Sequence, residues 1–259
     1  DGVQPTMDDF CKSLDPNLKY LFIVRHWGTN RIVCDAPDEM TAYHVGTFSA
    51  DSNLVDVDVD IGFTKPSTHS VQTVQELQDL VRGLDPRVDS GFMILDANDK
   101  WYKLQSREYL DLEDVRGNEP SLKFRYLQVR LDDEKVGKLY DLYPDQTHFF
   151  EDYEDTLYDI ARYVHSAYIR RFVKREYVTV EREFFGVMSA CHEWHKQDRK
   201  YNRVDLDKVI EVLNSRYDHV LNKMIRMFKK IKSDEEHAQD AQGATNDGRD
   251  DEFVVDEEL

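Results

Sequence analysis

Ser90-Gly91-Phe92-Met93-Ile94-Leu95-Asp96, followed after Ala97-Asn98-Asp99 by Lys100-Trp101-Tyr102-Lys103-Leu104-Gln105-Ser106, reads as two short strands around a tight turn. The apolar run Phe92 to Leu95 has the texture of a buried strand, and the Asp/Asn cluster after it favours reversal of the chain over continued extension. A β-hairpin is expected here.

The residues before this hairpin have the same short-strand texture. Lys19 to Arg25 and Arg31 to Cys34 flank His26-Trp27-Gly28-Thr29-Asn30, and Thr41 to Thr47 reads as a further strand. Leu54 to Ile61 alternates Val and Asp, which predicts valines inward and Asp56, Asp58 and Asp60 in solvent. A strand spreads those aspartates along an edge rather than around one cation, so no metal site is expected there. Between Ser70 and Leu84, Val71, Val74, Leu77, Leu80 and Val81 recur at three-to-four spacing and predict a helix ahead of Pro86.

Beyond Arg116-Gly117-Asn118 the pattern changes. Tyr153, Leu157, Ile160, Ala161, Val164, Tyr168 and Phe172 make one helical stripe, and Phe184, Met188, Cys191, Trp194 and His195 a second. Leu206, Val209, Ile210 and Leu213 make a third, with Asp205 placed to cap it, and Val220 to Ile231 holds a fourth. Stripes of this kind form a core, so a helical bundle is expected.

Charge divides the 259 residues into three blocks. Residues 1–159 hold 16 Lys/Arg against 32 Asp/Glu, residues 160–232 hold 17 against 9, and residues 233–259 hold 1 against 11. A basic block in a chain of net charge −18 is either a solvated bundle face or an anion-binding surface, because phosphate responds to the local field. Within it Arg170, Arg171, Lys174 and Arg175 form one cluster and Lys196, Arg199, Lys200 and Arg203 another, while Lys223, Arg226, Lys229, Lys230 and Lys232 close it. Tyr168, Tyr177 and Tyr201 are interleaved, and cations beside rings suit RNA phosphates and unstacked bases. From Ser233 the low apolar content and high charge predict a disordered acidic tail with one apolar island, Phe253-Val254-Val255.

Other classes are disfavoured. The apolar run Tyr20 to Val24 is far shorter than the ~20 residues of a membrane helix. Cys11, Cys34 and Cys191 lack paired spacing and no N-x-Ser/Thr sequon is present, which points to a reducing, cytoplasmic setting rather than secretion. A first residue of Asp rather than Met reads as a chain trimmed or cut from something longer. Cys191-His192-Glu193-Trp194-His195 offers a thiol and two imidazoles within about one and a half helical turns but no partner pair elsewhere, so core packing is the expected role. Cys34 with His26 or His44 lacks an assignable third member of a nucleophilic triad.

The hairpin resembles two consecutive motifs of the covalent nucleotidyltransferases, in particular the ATP-dependent RNA ligases of the bacteriophage and large-DNA-virus type. In that family the first strand opens Glu-Gly-hydrophobic-hydrophobic and the second carries Lys-x-Lys. Leu21-Phe22-Ile23-Val24 is similar to the family's Phe-Glu-Leu strand, and Asn30-Arg31-Ile32-Val33 to its following turn. The likeness continues through Arg116-Gly117-Asn118 into the helices, including Arg199-Lys200, Val209 to Asn214 and Leu221 to Ile225, and so spans residues 18–231.

The resemblance implies an α+β protein. Residues 1–18 would form an N-terminal segment, 19–118 an antiparallel nucleotidyltransferase-like lobe, 119–232 a helical basic lobe and 233–259 the tail. The family's motif positions fall on Ser90, Gly91, Lys103 and Gln105, where serine replaces the glutamate and glutamine the second lysine. Ile23 replaces the Phe-Glu-Leu glutamate, and no Lys-x-Asp-Gly nucleophile box is present. Adduct formation needs an amine, carboxylate-held metal and cations on the phosphates. The expectation is therefore a catalytically inactive derivative with no cofactor, a structural or assembly component, viral in kind, that binds RNA or a protein neighbour. Its RNA contacts would come from Arg170, Arg171, Lys174, Arg175, Lys196, Arg199, Lys200, Lys223 and Arg226. The alternative is an active ligase using ATP and Mg, with its nucleophile motif on a removed or separate segment.

Overall fold

In the computed structural model the residues described are 6–27, 32–51, 54–56, 60–96 and 100–246. The chain is mixed α and β, and it divides into two compact units between Pro120 and Ser121.

The first unit begins with α1 (Met7–Ser13), capped by Thr6, whose hydroxyl accepts from the Asp9 amide while the Asp9 carboxylate accepts from the Thr6 amide. Strand β1 (Lys19–Arg25) pairs antiparallel along the whole of β2 (Thr41–Phe48), from Lys19 opposite Phe48 to Arg25 opposite Thr41. Strand β3 (Leu54–Asp56) lies on the other edge of β2. One face of this sheet is closed by a ring cluster in which Phe10 of α1, Phe22 and Phe63 meet at centroid distances of 5.1 to 6.3 Å. The opposite side of β1 is left open, with Ile23 49% exposed.

Two strand expectations change here. Ile32 to Cys34 form bends, not a strand, with Val33 fully buried and the Asp35 amide donating to the Arg87 carbonyl at 2.6 Å, and Arg31 lies outside the described residues. The strand expected over Leu54 to Ile61 is described only to Asp56, and Val57, Asp58 and Val59 lie outside the described residues.

After α2 (Val74–Arg82), capped by Thr73, come β4 (Phe92–Leu95) and β5 (Trp101–Leu104), which pair antiparallel from Phe92 opposite Leu104 to Leu95 opposite Trp101. The hairpin expected from the sequence is present, closed by Asp96 and Lys100 in two reciprocal bonds of 3.0 and 2.9 Å. Its turn residues 97–99 lie outside the described residues. Helix α3 (Arg107–Arg116) follows with Ser106 as its cap, although its mixed face gives little periodic signal.

The second unit is helical: α4 (Leu122–Val129), α5 (Asp133–Leu142), α6 (Thr147–Tyr168), α7 (Arg182–Gln197), α8 (Leu206–Asn214) and α9 (Asp218–Asn246). Helix α6 is the hub and packs against α4, α7, α8 and α9. The four stripes fill this core, where Ile160, Ala161, Phe184, Met188, Cys191, Val209 and Met224 are completely buried. Asp205 caps α8 by accepting from the Lys208 amide at 2.9 Å.

Helix α9 corrects the expected tail. It runs unbroken past Ser233 to Asn246, because a helix already nucleated by packed turns propagates at little cost into a segment rich in Glu, Ala and Gln. Residues 247–259, including Phe253-Val254-Val255, lie outside the described residues. Among the described residues no helix is long and apolar enough to cross a membrane.

Candidate nucleic-acid interface

Helix α6 does not end in an ordinary cap. Its last turn widens into a π-helix over Ile169–Val173, which Lys174 closes by donating to the Ile169 carbonyl at 2.9 Å. Arg175 then takes a left-handed backbone at φ 58°, a conformation that a long side chain seldom adopts. The chain turns back on itself there, with the Glu176 amide donating to the Arg170 carbonyl at 2.9 Å.

This return sets α6 and α7 running side by side in the same direction: Tyr163 meets Phe184 near the start of α7, and Phe172 meets His192 further on. The two basic clusters, distant in sequence, are thereby joined. The Phe172 and His192 rings stack at 3.9 Å, Tyr168 places its hydroxyl 3.5 Å from His192 Nδ1, and Arg171 lies over the Phe185 ring at 5.1 Å. Partial burial holds the His192 imidazole below its ordinary value, and Lys196, His195 and Arg199 add to this by repulsion.

The sequence-named cations separate into two kinds. Arg170 is tied to Glu176 at 2.7 Å, Lys196 to Glu193 at 2.7 Å, and Arg171 donates to the Val178 carbonyl at 2.9 Å. On α9, Lys223 pairs with Glu183, Lys229 with Asp152 and Lys232 with Asp159, all between helices. Those α9 lysines are therefore engaged by acids of neighbouring helices. Arg226 also stays local, its Nε donating to the Asn222 carbonyl at 3.4 Å. By contrast Lys174, Arg175, Arg199, Lys200 and Arg203 are exposed and form no ion pair with any described residue. Tyr177 and Tyr201 stand beside them in sequence, 90% and 72% exposed, with the Lys200 ammonium 4.9 Å from the Tyr201 ring centre.

Within the Cys191-to-His195 segment the thiol packs in the core and His195 is engaged by a backbone carbonyl. Cys191 is fully buried and its thiol is pushed up to about 11 by burial. His195 donates through Nδ1 to the Asn202 carbonyl at 2.5 Å, and Asn202 in turn donates to the Trp194 carbonyl at 2.8 Å. Among the described residues no group of three His, Cys, Asp or Glu is placed to hold a metal ion. Cys34 turns its thiol toward the Pro86 carbonyl at 3.5 Å, not toward a histidine.

In the first unit, the hairpin brings the motif positions together. Gly91 lies so close to the returning strand that a β-carbon would stand 2.2 Å from the Leu104 carbonyl and 3.0 Å from Gln105 Cα. Lys103 is exposed opposite Met93. The Gln105 amide nitrogen is enclosed without a hydrogen-bond partner among the described residues. The π-helix, the left-handed Arg175 and the Phe172–His192 stack were not legible in advance, since each depends on how α6 meets α7.

No protein-family model matches the chain. It is 23% identical over 171 residues to an "Immediate-early protein ICP-46 homolog" of Invertebrate iridescent virus 3, covering 64% of this chain and 37% of that relative. It is 28% identical over 101 residues to a protein of the same description from Invertebrate iridescent virus 6, covering 38% of this chain and 22% of that relative. The matched region thus spans well under half the length of these relatives, both of them viral proteins.

Proposed function

We propose that this chain is a catalytically inactive relative of the RNA ligases, viral in kind, that binds RNA through the helical unit as part of an assembly. The observation that carries the reading is the joined basic surface at the meeting of α6 and α7. Five exposed cations there, Lys174, Arg175, Arg199, Lys200 and Arg203, form no ion pair among the described residues, although the Lys174 charge is felt by Glu176. Uncommitted cations are what a phosphate backbone recruits, through release of its condensed counterions. Loss of catalysis is argued from Ser90 and Gln105, which supply neither the carboxylate for a metal nor the charge for a phosphate.

RNA titration at several salt concentrations tests the binding half. Affinity should fall steeply with salt, and charge reversal of Arg199 and Lys200 should weaken it. Binding indifferent to salt, or to those changes, would overturn it. Incubation with labelled ATP and Mg or Mn tests the catalytic half, with no lysine adduct expected. The second reading, an active ATP-dependent RNA ligase with its nucleophile motif on another segment, draws on the greater length of the viral relatives. Adduct formation would favour it.

A further inference from the structure

Deepening the RNA-binding reading and resting on it, we infer that the exposed strip along α7 takes single-stranded RNA, with unstacked bases on Tyr177 and Tyr201 and phosphates on the cations between them. Phe185, His192 and Lys196 follow one another at spacings of seven and four, so they share one face of α7. That face is partly open: Phe185 is 37% exposed, and the residues laid over it from α6 are Arg171 and Phe172.

Tyr177 lies next to Val178, whose carbonyl receives Arg171, and so sits at the Phe185 end of the strip. Tyr201 lies just past the other end, beyond Lys196 and Arg199. In order the strip presents Tyr177, Arg171 with Phe185, Phe172 with His192, Lys196, Arg199, and Lys200 with Tyr201. A 16-residue helix is about 24 Å long, which accommodates roughly four nucleotides of an extended strand, the lower end of single-strand site sizes.

Ring exposure separates this ligand from a duplex. A tyrosine 90% exposed gains nothing from a paired helix whose bases are stacked inside, but stacks on any splayed base. The acids along the strip engage part of its charge, Glu176 with Arg170 and Glu193 with Lys196, while Asp198 accepts from the Lys200 and Tyr201 amides, so the phosphates fall chiefly to Arg199 and Lys200.

The experiment is fluorescence anisotropy with one labelled oligoribonucleotide, presented single-stranded and annealed to its complement, on the full chain at matched salt. The single strand should bind about tenfold more tightly than the duplex. Tyr177→Leu and Tyr201→Leu should each weaken it about fivefold or more, leaving the salt slope unchanged. Arg199→Gln with Lys200→Gln should flatten that slope. Equal affinity for duplex and single strand, or neutral tyrosine variants beside a retained salt slope, would overturn the stacking strip while leaving RNA binding in place. Absence of salt-dependent binding to either form would remove both.

Discussion

Arg130 grips both oxygens of Glu154, Nε to Oε1 at 2.7 Å and one terminal nitrogen to Oε2 at 2.6 Å, while its other terminal nitrogen reaches Asn214 Oδ1 at 2.7 Å. One guanidinium thereby ties the end of α4 to α6 and α8. The Tyr126 hydroxyl completes the site by donating to Glu154 at 3.0 Å, and the Tyr126 ring stacks on Phe150 at 4.7 Å. Arg130 is only 8% exposed in its side chain, so its charge is out of water and depends on these acceptors.

Glu154→Ala should therefore destabilise the helical unit by about 3 kcal/mol, because it strands the Arg130 charge and the Tyr126 hydroxyl at once. Urea unfolding followed by far-ultraviolet circular dichroism measures this. A loss under about 1 kcal/mol would mean that water replaces the carboxylate without penalty.

Gly91→Ala should destabilise the first unit by about 2–4 kcal/mol, the range for a side chain forced into a left-handed backbone against a close contact. Its φ is +145°, and the new methyl would meet the Leu104 carbonyl at 2.2 Å. The loss should be visible in Trp101 fluorescence and in early proteolysis within residues 19–116. A variant as stable as the parent would show that the two strands separate freely.

Thiol reactivity should rank by burial. Cys11 is exposed, Cys34 half-buried with its thiol raised chiefly by desolvation, and Cys191 fully buried with its thiol at about 11. At pH 8 that leaves about one Cys191 in a thousand as thiolate, the reactive form. Cys11 should react with a disulfide reagent fast and Cys191 only on unfolding. Labelling of Cys191 in the native protein at the Cys11 rate would contradict its placement.

The depressed imidazole of His192 has a defined sign in stability. Its folded value lies below the unfolded one near 6.5, so the unfolded state takes up more protons as the pH falls below that point. The contribution is full above pH 6.5 and is lost as the pH drops through the folded value. His192→Phe, which preserves a ring against Phe172, should lose less stability than the parent between pH 7 and pH 5. Parallel pH profiles for the two proteins would show that His192 is not coupled to folding.

Ending the chain at Lys232 should raise RNA affinity several-fold at low salt, with the difference vanishing as salt rises. Residues 233–259 carry 11 Asp/Glu against one Arg, and Glu235 already adds its charge to those around Tyr163, where Arg170 also acts. Equal affinities at low salt would show that the acidic segment does not compete for the basic surface.

The sequence by itself determined the local elements. Asp and Asn after an apolar run made the Phe92–Leu104 hairpin readable, and the stripes of α6 to α9 were readable because a helix must turn one face to the core. Helices α1 and α3 were harder to see, since their starts rest on Thr6 and Ser106 more than on a repeating apolar face. The extent of α9 was misread because composition reports solvation, whereas continuity with a packed helix decided the backbone. Only the tertiary structure decided which cations form no ion pair among the described residues: Lys223, Lys229 and Lys232 looked equivalent to Arg199 and Lys200, yet meet acids on α7 and α6. An ion pair between residues 40 or more positions apart has no signature in local spacing. It exists only where two helices cross, and the Phe172–His192 stack that joins the basic clusters exists for the same reason.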